Sequence, residues 1–188
     1  MADRLPGQWQ NLTGDQAIQY SCGFCGSLVG SEKVYFSNDA RFRVRICPVC
    51  NRPTYFEGAQ QVPGVAYGQP VNNVPPLIDQ LYNEARKATA AGAHTAAVLA
   101  CRKLLMHIGV QQGAPVDQSF AAYVEYLAAQ GYVPPNGRGW VDHIRKKSNE
   151  ANHDIVLMTP AESSELITFA EMLLKFIYDF PSRVPGVP

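Results

Sequence analysis

The sequence predicts an α+β chain in two parts: a small antiparallel ribbon closed by four cysteines, followed by an all-α bundle of five helices. Three observations carry this expectation. Four of the five cysteines form two knuckles, Cys22-Gly23-Phe24-Cys25 and Cys47-Pro48-Val49-Cys50, a spacing that lets two tight turns present four sulfurs to one tetrahedral ion. Around them, short runs alternate between apolar and polar residues as strands do. From residue 76 onward the apolar positions recur instead at helical spacing, between start and stop signals.

The ribbon is expected over 16–57, after a polar segment at 1–15. Its strands are read as Ala17–Tyr20, Lys33–Phe36, Phe42–Ile46 and Thr54–Phe56, with Tyr35, Phe36, Tyr55 and Phe56 supplying a core. Gly23, Gly26 and Pro48 suit the tight backbone of the knuckles. Two disulfides or a redox motif are the alternatives to a metal site, but neither pair lies in a βαβ unit. The preferred reading is one structural zinc ion held by Cys22, Cys25, Cys47 and Cys50. Along the third strand, Arg41, Arg43 and Arg45 alternate with Phe42 and Val44, which places three guanidinium groups on one face. Such a face can track a phosphate backbone, or it can simply be a charged, solvated edge.

A run without periodicity, rich in Gly, Pro, Gln and Asn, fills 58–75 and reads as a flexible linker. The bundle is expected over 76–181, with a tail at 182–188. Its first helix (~76–91) carries Ile78, Leu81, Tyr82, Ala85 and Ala88 on one face and stops at Gly92. The second (~94–108) faces Val98, Cys101, Leu104, Leu105 and Ile108 inward before Gly109, and the third (~118–130) runs to Gly131. A fourth begins after Pro134-Pro135-Asn136. The last opens on Thr159-Pro160-Ala161-Glu162, a capping box with proline at the first helical position. Its stripe of Leu166, Phe169, Ala170, Leu173, Ile177 and Phe180 ends at Pro181. Cys101 lies on the apolar stripe of its helix and reads as a core thiol. Arg102, between Val98 and Leu105, reads as a partly buried guanidinium paired with a carboxylate or a helix C-terminus.

Bulk properties limit the partners. With 46% hydrophobic and 17% charged residues the chain is globular, and sixteen basic side chains balance sixteen acidic ones. A formal net charge of zero supplies no global attraction to nucleic acid or anionic membrane, so such binding has to come from a local patch. The opening Met1-Ala2-Asp3-Arg4-Leu5-Pro6 has no apolar leader core, and no run approaches the ~18–20 apolar residues of a membrane span. A cytoplasmic protein without a membrane partner is expected.

One polar cluster stands out in the helical half, from Ile144 to Asp154. If the fourth helix continues through it, Arg145, Asn149 and His153 share one stripe, with Lys147 nearby. An arginine, an amide and an imidazole on one face can clamp, orient and protonate around a phosphate. They can equally form an interhelical hydrogen-bond network.

The segments Leu81–Ala85, Ala96–Leu105, Ile144–Asp154, Phe169–Leu174 and Tyr178–Pro181 resemble the bacterial domain of unknown function numbered 4145, over ~77–181. That family is related to the HEPN superfamily of helical nucleotide-binding and ribonuclease domains and also occurs with restriction-endonuclease subunits. The resemblance implies a HEPN-like bundle, a homodimer, and a defence or toxin context in a bacterium or phage. It also implies a metal-independent endoribonuclease in which His153 transfers the proton, Arg145 clamps the transition state and Asn149 holds phosphate or imidazole, while Arg102 and Lys147 join Arg41, Arg43 and Arg45 in contacting RNA, DNA or a nucleotide. Arg145 and His153 stand further apart than in the active enzymes, and Met106 occupies a position where the family often has glutamate. The alternative expectation is a non-catalytic dimeric adaptor within a larger protein complex.

Overall fold

The computed structural model describes residues 3–39, 41–134, 137, 139–144 and 156–184. The chain divides into two compact units, Met1–Ala66 and Tyr67–Pro188.

The first unit is one antiparallel sheet of five strands in sequential order: β1 (Thr13–Ser21), β2 (Leu28–Phe36), β3 (Phe42–Ile46), β4 (Pro53–Glu57) and β5 (Gln60–Val62). The four expected strands are present, three of them longer than alternation alone marked them, and β5 is an addition, pairing Tyr55 with Val62 and Glu57 with Gln60. In an antiparallel meander every second turn falls at the same end of the sheet. The β1–β2 and β3–β4 turns are the two cysteine knuckles, so topology alone brings all four sulfurs to one end. Between Gly14 and Ile18 the register of β1 slips against β2. This bulge carries Asp15, which reaches across the sheet to β3. The core cluster of the unit is small: Tyr20, Cys22, Val29, Cys47, Cys50 and Phe56. Tyr20 meets Phe56 edge-on with ring centroids 5.1 Å apart, whereas Phe36, expected inside, is 49% exposed.

The segment before β1 is not a loose tail. Arg4 donates to the carbonyls of Pro48 and Val49, the Leu5 amide donates to Cys50 O, and Trp9 Nε1 donates to Asn51 O. It covers the second knuckle.

The second unit is helical: α1 (Pro76–Ala90), α2 (His94–Gln111), α3 (Phe120–Ala129), a stretch over 139–144 (α4) and α5 (Pro160–Leu174). Gly92 and Gly131 adopt positive φ after α1 and α3, as stop signals require. Ser119 caps α3 by accepting from the Ala122 amide, and Thr159 with Glu162 forms the expected capping box. Gly109 does not end α2. The helix passes through it because a Cβ there would lie 2.7 Å from the Tyr123 ring, so glycine is the residue that lets α3 approach.

Pro181 does not end the last helix either. After α5 the backbone widens into a π-turn at Lys175–Asp179, where the Phe180 amide bonds to Lys175 O, and resumes as α6 (Phe180–Ser182). Pro181 has no N–H, and its ring crowds the carbonyl four residues back; an inserted π-turn relieves both problems. The same insertion rotates the residues beyond it. Leu166, Phe169, Ala170 and Leu173 are buried as expected, but Phe180 is 43% exposed and packs edge-on with Phe176.

Residues 67–74 belong to the bundle. Arg86 donates to the carbonyls of Tyr67 and Gly68, Glu171 accepts from the Gln69 amide, Tyr82 donates to Gln69 O, and Val71 is buried in the helical core. Gly68 has φ +69°, and a Cβ on it would lie 2.8–2.9 Å from Ile167, Glu171 and Tyr82. Gly68→Ala is therefore expected to cost the second unit on the order of 2–3 kcal/mol through backbone conformation and overpacking. Thermal unfolding followed by near-ultraviolet circular dichroism measures it.

Candidate metal centre

Each knuckle is built by the same pair of backbone hydrogen bonds. In the first, the Gly26 amide donates to Cys22 O (2.8 Å) and the Cys22 amide to Ser27 O (2.9 Å). In the second, Asn51 donates to Cys47 O (2.9 Å) and Cys47 to Arg52 O (3.0 Å). The residue after each second cysteine adopts a left-handed conformation, with φ +72° at Gly26 and +60° at Asn51. Asparagine tolerates that conformation at low cost. Its side chain does a second job by donating to Leu5 O (3.0 Å) and Gly7 O (3.1 Å), which fastens the N-terminal segment to the knuckle.

The four ligand atoms lie within 4.8 Å of one another. Cys22 Sγ is 3.7 Å from Cys50 Sγ, and Cys25 Sγ is 3.8 Å from Cys47 Sγ. A tetrahedral ion with metal–sulfur bonds of about 2.3 Å sets its sulfurs about 3.8 Å apart, so both cross-knuckle distances fit. A disulfide would need about 2.05 Å, and all five cysteines are free. Cys22, Cys47 and Cys50 are buried and Cys25 is half-buried.

The thiols differ in acidity. Burial pushes Cys50 up to about 12 and also raises Cys22. Burial acts the same way on Cys25, but the Ser27 hydroxyl and amide outweigh it and bring that thiol down to about 7. The donors around the sulfurs include the amides of Phe24, Cys25, Ser27 and Arg52. Four thiols so placed can hold one cation, and four protein sulfurs leave no ligand position for substrate. Cys101 belongs to the second unit, where it is fully buried in α2, and burial raises it to about 12.

The arginine strand is arranged differently from a free phosphate track. Arg45 is 1% exposed; it donates to Ser31 O and pairs with Asp15 at 2.7 Å. Arg43 pairs with the same carboxylate at 3.3 Å, and Arg41, 66% exposed, pairs with Glu57 at 3.1 Å. A buried guanidinium cannot contact a nucleic-acid backbone, so Arg45 is removed from such a surface. The Gln16 amide first, then Arg45 and Arg43, hold the Asp15 carboxyl below its usual range against the opposing effect of burial. A depressed folded pKa contributes stability above the ordinary carboxylate pKa and loses it as pH falls through the folded value.

Arg102 is half-buried with its guanidinium 4.8 Å from the Phe120 ring centroid, and burial lowers its pKa. Its partner is an aromatic face; among the described residues no carboxylate forms an ion pair with it. Arg145, Lys147, Asn149 and His153 lie outside the described residues. The described start of α4 places Val141 and Ile144 in the helical core, with Trp140 edge-on to Phe169 at 5.1 Å. Sequence reasoning missed Asp15, the Asn51 clamp and the Arg4–Trp9 cover. A Gly-Asp pair at the start of a strand and an asparagine directly after a knuckle were the available signals. Among the described residues no helix is long and apolar enough to cross a membrane.

The closed cluster makes its ligands indispensable to the first unit alone. Cys22→Ser or Cys50→Ser should abolish stoichiometric metal binding and unfold the first unit while the bundle's helical signal persists. Cys101→Ser should keep the metal and cost the bundle about 1–3 kcal/mol for a hydroxyl among apolar neighbours. Metal analysis together with circular dichroism separates the two cases. Removing one partner of a buried pair leaves the other charge uncompensated. Asp15→Asn strands the 1%-exposed Arg45 guanidinium, whereas Arg45→Met leaves Asp15 30% exposed and still paired with Arg43, so Asp15→Asn should destabilise the first unit more than Arg45→Met, with a flatter acid limb in its pH–stability curve.

The family profile described as Domain of unknown function (DUF4145) matches residues 83–186, more than half of the 188 residues. The match lies within the helical unit and leaves the cysteine ribbon outside it. No curated protein and no solved structure matches the chain. The chain belongs to the DUF4145 family.

Proposed function

We propose that this is a zinc-ribbon, HEPN-like protein that associates with nucleic acid or nucleotides, with one zinc ion acting as a structural staple. The observation that carries the reading is the closed four-cysteine cluster. Its two cross-knuckle distances of 3.7 and 3.8 Å match what a thiolate-bound zinc requires, and zinc favours an all-sulfur tetrahedron. Cys22, Cys25, Cys47 and Cys50 would hold the ion. When bound, it contributes folding energy and no chemistry, because a four-thiolate site keeps no open position.

The likeness of the helical unit to HEPN domains motivates the association with RNA, DNA or nucleotides, the homodimer, and the defence context shared with restriction-endonuclease subunits. On this reading a metal-independent ribonuclease would use Arg145, Asn149 and His153, away from the zinc. A second reading, a dimeric protein-interaction adaptor, is favoured by one specific observation: Phe176 and Phe180 on the last helical segments, and Val184 just after them, are exposed, and exposed apolar side chains of this kind mark contact surfaces.

A gel-shift and cleavage assay in EDTA tests the proposal, using wild-type protein and an Arg145→Ala, His153→Ala double variant on several RNAs. Binding with intact RNA is the expected outcome. Cleavage by wild type that the double variant loses would assign catalysis to the fourth helix. Absence of binding to RNA, DNA and nucleotides alike would leave the adaptor reading.

A further inference from the structure

We propose that the metal end of the ribbon is a stacking site for single-stranded nucleic acid, with Phe24 as the platform and Arg52 and Arg4 meeting adjacent phosphates. This rests on the proposed association with nucleic acid and relocates its contact surface away from the arginine strand.

The arginines of the ribbon that bear on this site fall into two groups. Arg41, Arg43 and Arg45 each bond to a carboxylate. Arg4 and Arg52 do not: Arg4 is exposed and donates to the carbonyls of Pro48 and Val49, and Arg52 lies 5.5 Å from the Phe24 ring centroid. Among the described residues neither has a carboxylate partner. No Asp or Glu occurs in 16–31 or 40–56, the segments that include both knuckles. A phosphate approaching this end meets no fixed acidic side chain from either segment.

The ring completes the site. Phe24 sits inside a metal knuckle yet is 43% exposed. Its backbone is fixed by the Cys22–Ser27 turn, and Arg52 lies over the ring. A rigidly held, partly open aromatic surface beside a guanidinium is what base stacking uses, and every base has a π-face to offer. Val49, in the second knuckle and 52% exposed, and Leu28, directly after the first knuckle and 65% exposed, are further exposed apolar side chains at the knuckle end of the unit. Arg4 and Arg52 are the cations that meet phosphate here, so only about two phosphates are neutralised and stacking carries most of the affinity. For a single strand this predicts a shallow salt slope, about −1.4 in log K against log salt.

The test is fluorescence anisotropy of labelled twelve-nucleotide oligouridylate and oligothymidylate with the full chain, with metal content measured for every variant. Phe24→Ala should weaken binding about tenfold or more, and Arg52→Gln and Arg4→Gln should weaken it several-fold and flatten the salt slope. Lys33→Gln, on an exposed β2 position, should leave it unchanged. Wild-type affinity retained in metal-loaded Phe24→Ala would overturn this site while leaving the nucleic-acid reading intact. No binding by wild type at low salt would overturn both. Phe24-dependent binding of an acidic Glu/Leu peptide, with oligonucleotide binding insensitive to Phe24→Ala, would also overturn it and assign this end to a protein partner.

Discussion

The first unit depends on closure of four sulfurs around one point. Its core cluster comprises six residues, and three of them are cysteines. Tyr20, Val29 and Phe56, with Val34 and Ile46 buried elsewhere in the sheet, remove too little apolar surface from water to offset the ordering of about sixty residues. A metal ion on the four thiolates would change that balance, because its binding energy is folding energy. Much of the unit is arranged around the closure. The meander places both knuckles at one end, the left-handed Gly26 and Asn51 complete the turns, and the Arg4–Trp9 segment lies over the second knuckle.

The second unit solves the same problem by ordinary means. Its core gathers twenty-one buried residues from all the main helices and from Val71 ahead of them. No metal is needed where Leu104, Leu105, Ile108, Leu127, Phe169 and Leu173 pack together. The two units also use charge differently. The ribbon buries one arginine and holds it with a carboxylate carried by a bulge. The bundle fixes its leading segment with Arg86 and Glu171, whose side chains bond to backbone groups of residues 67–69.

What was legible in the sequence was whatever local chemistry dictates. The CxxC turns, the Thr159–Glu162 capping box, and the glycines after α1 and α3 act through bonds between near neighbours, so their residues announce them. What was not legible depends on residues distant in sequence. Gly109 reads as a stop and is a helix-packing contact because Tyr123 is there. The alternation of Arg43 and Arg45 places them together on β3, but only Asp15, about thirty residues earlier on a bulged strand, joins them in an ion-pair network, and Arg41, just before the strand, pairs instead with Glu57 beside the Phe42 ring. Phe180 fits the helical stripe by counting and leaves it because Pro181 forces a π-turn.

The central claim, that the ribbon is closed by one metal ion on four thiolates, is tested most directly by X-ray absorption spectroscopy of the purified full chain. A zinc edge and a single shell of four sulfurs at about 2.3 Å are expected. A shell of two or three sulfurs completed by nitrogen or oxygen, or sulfur–sulfur pairs near 2.05 Å without a metal, would contradict it.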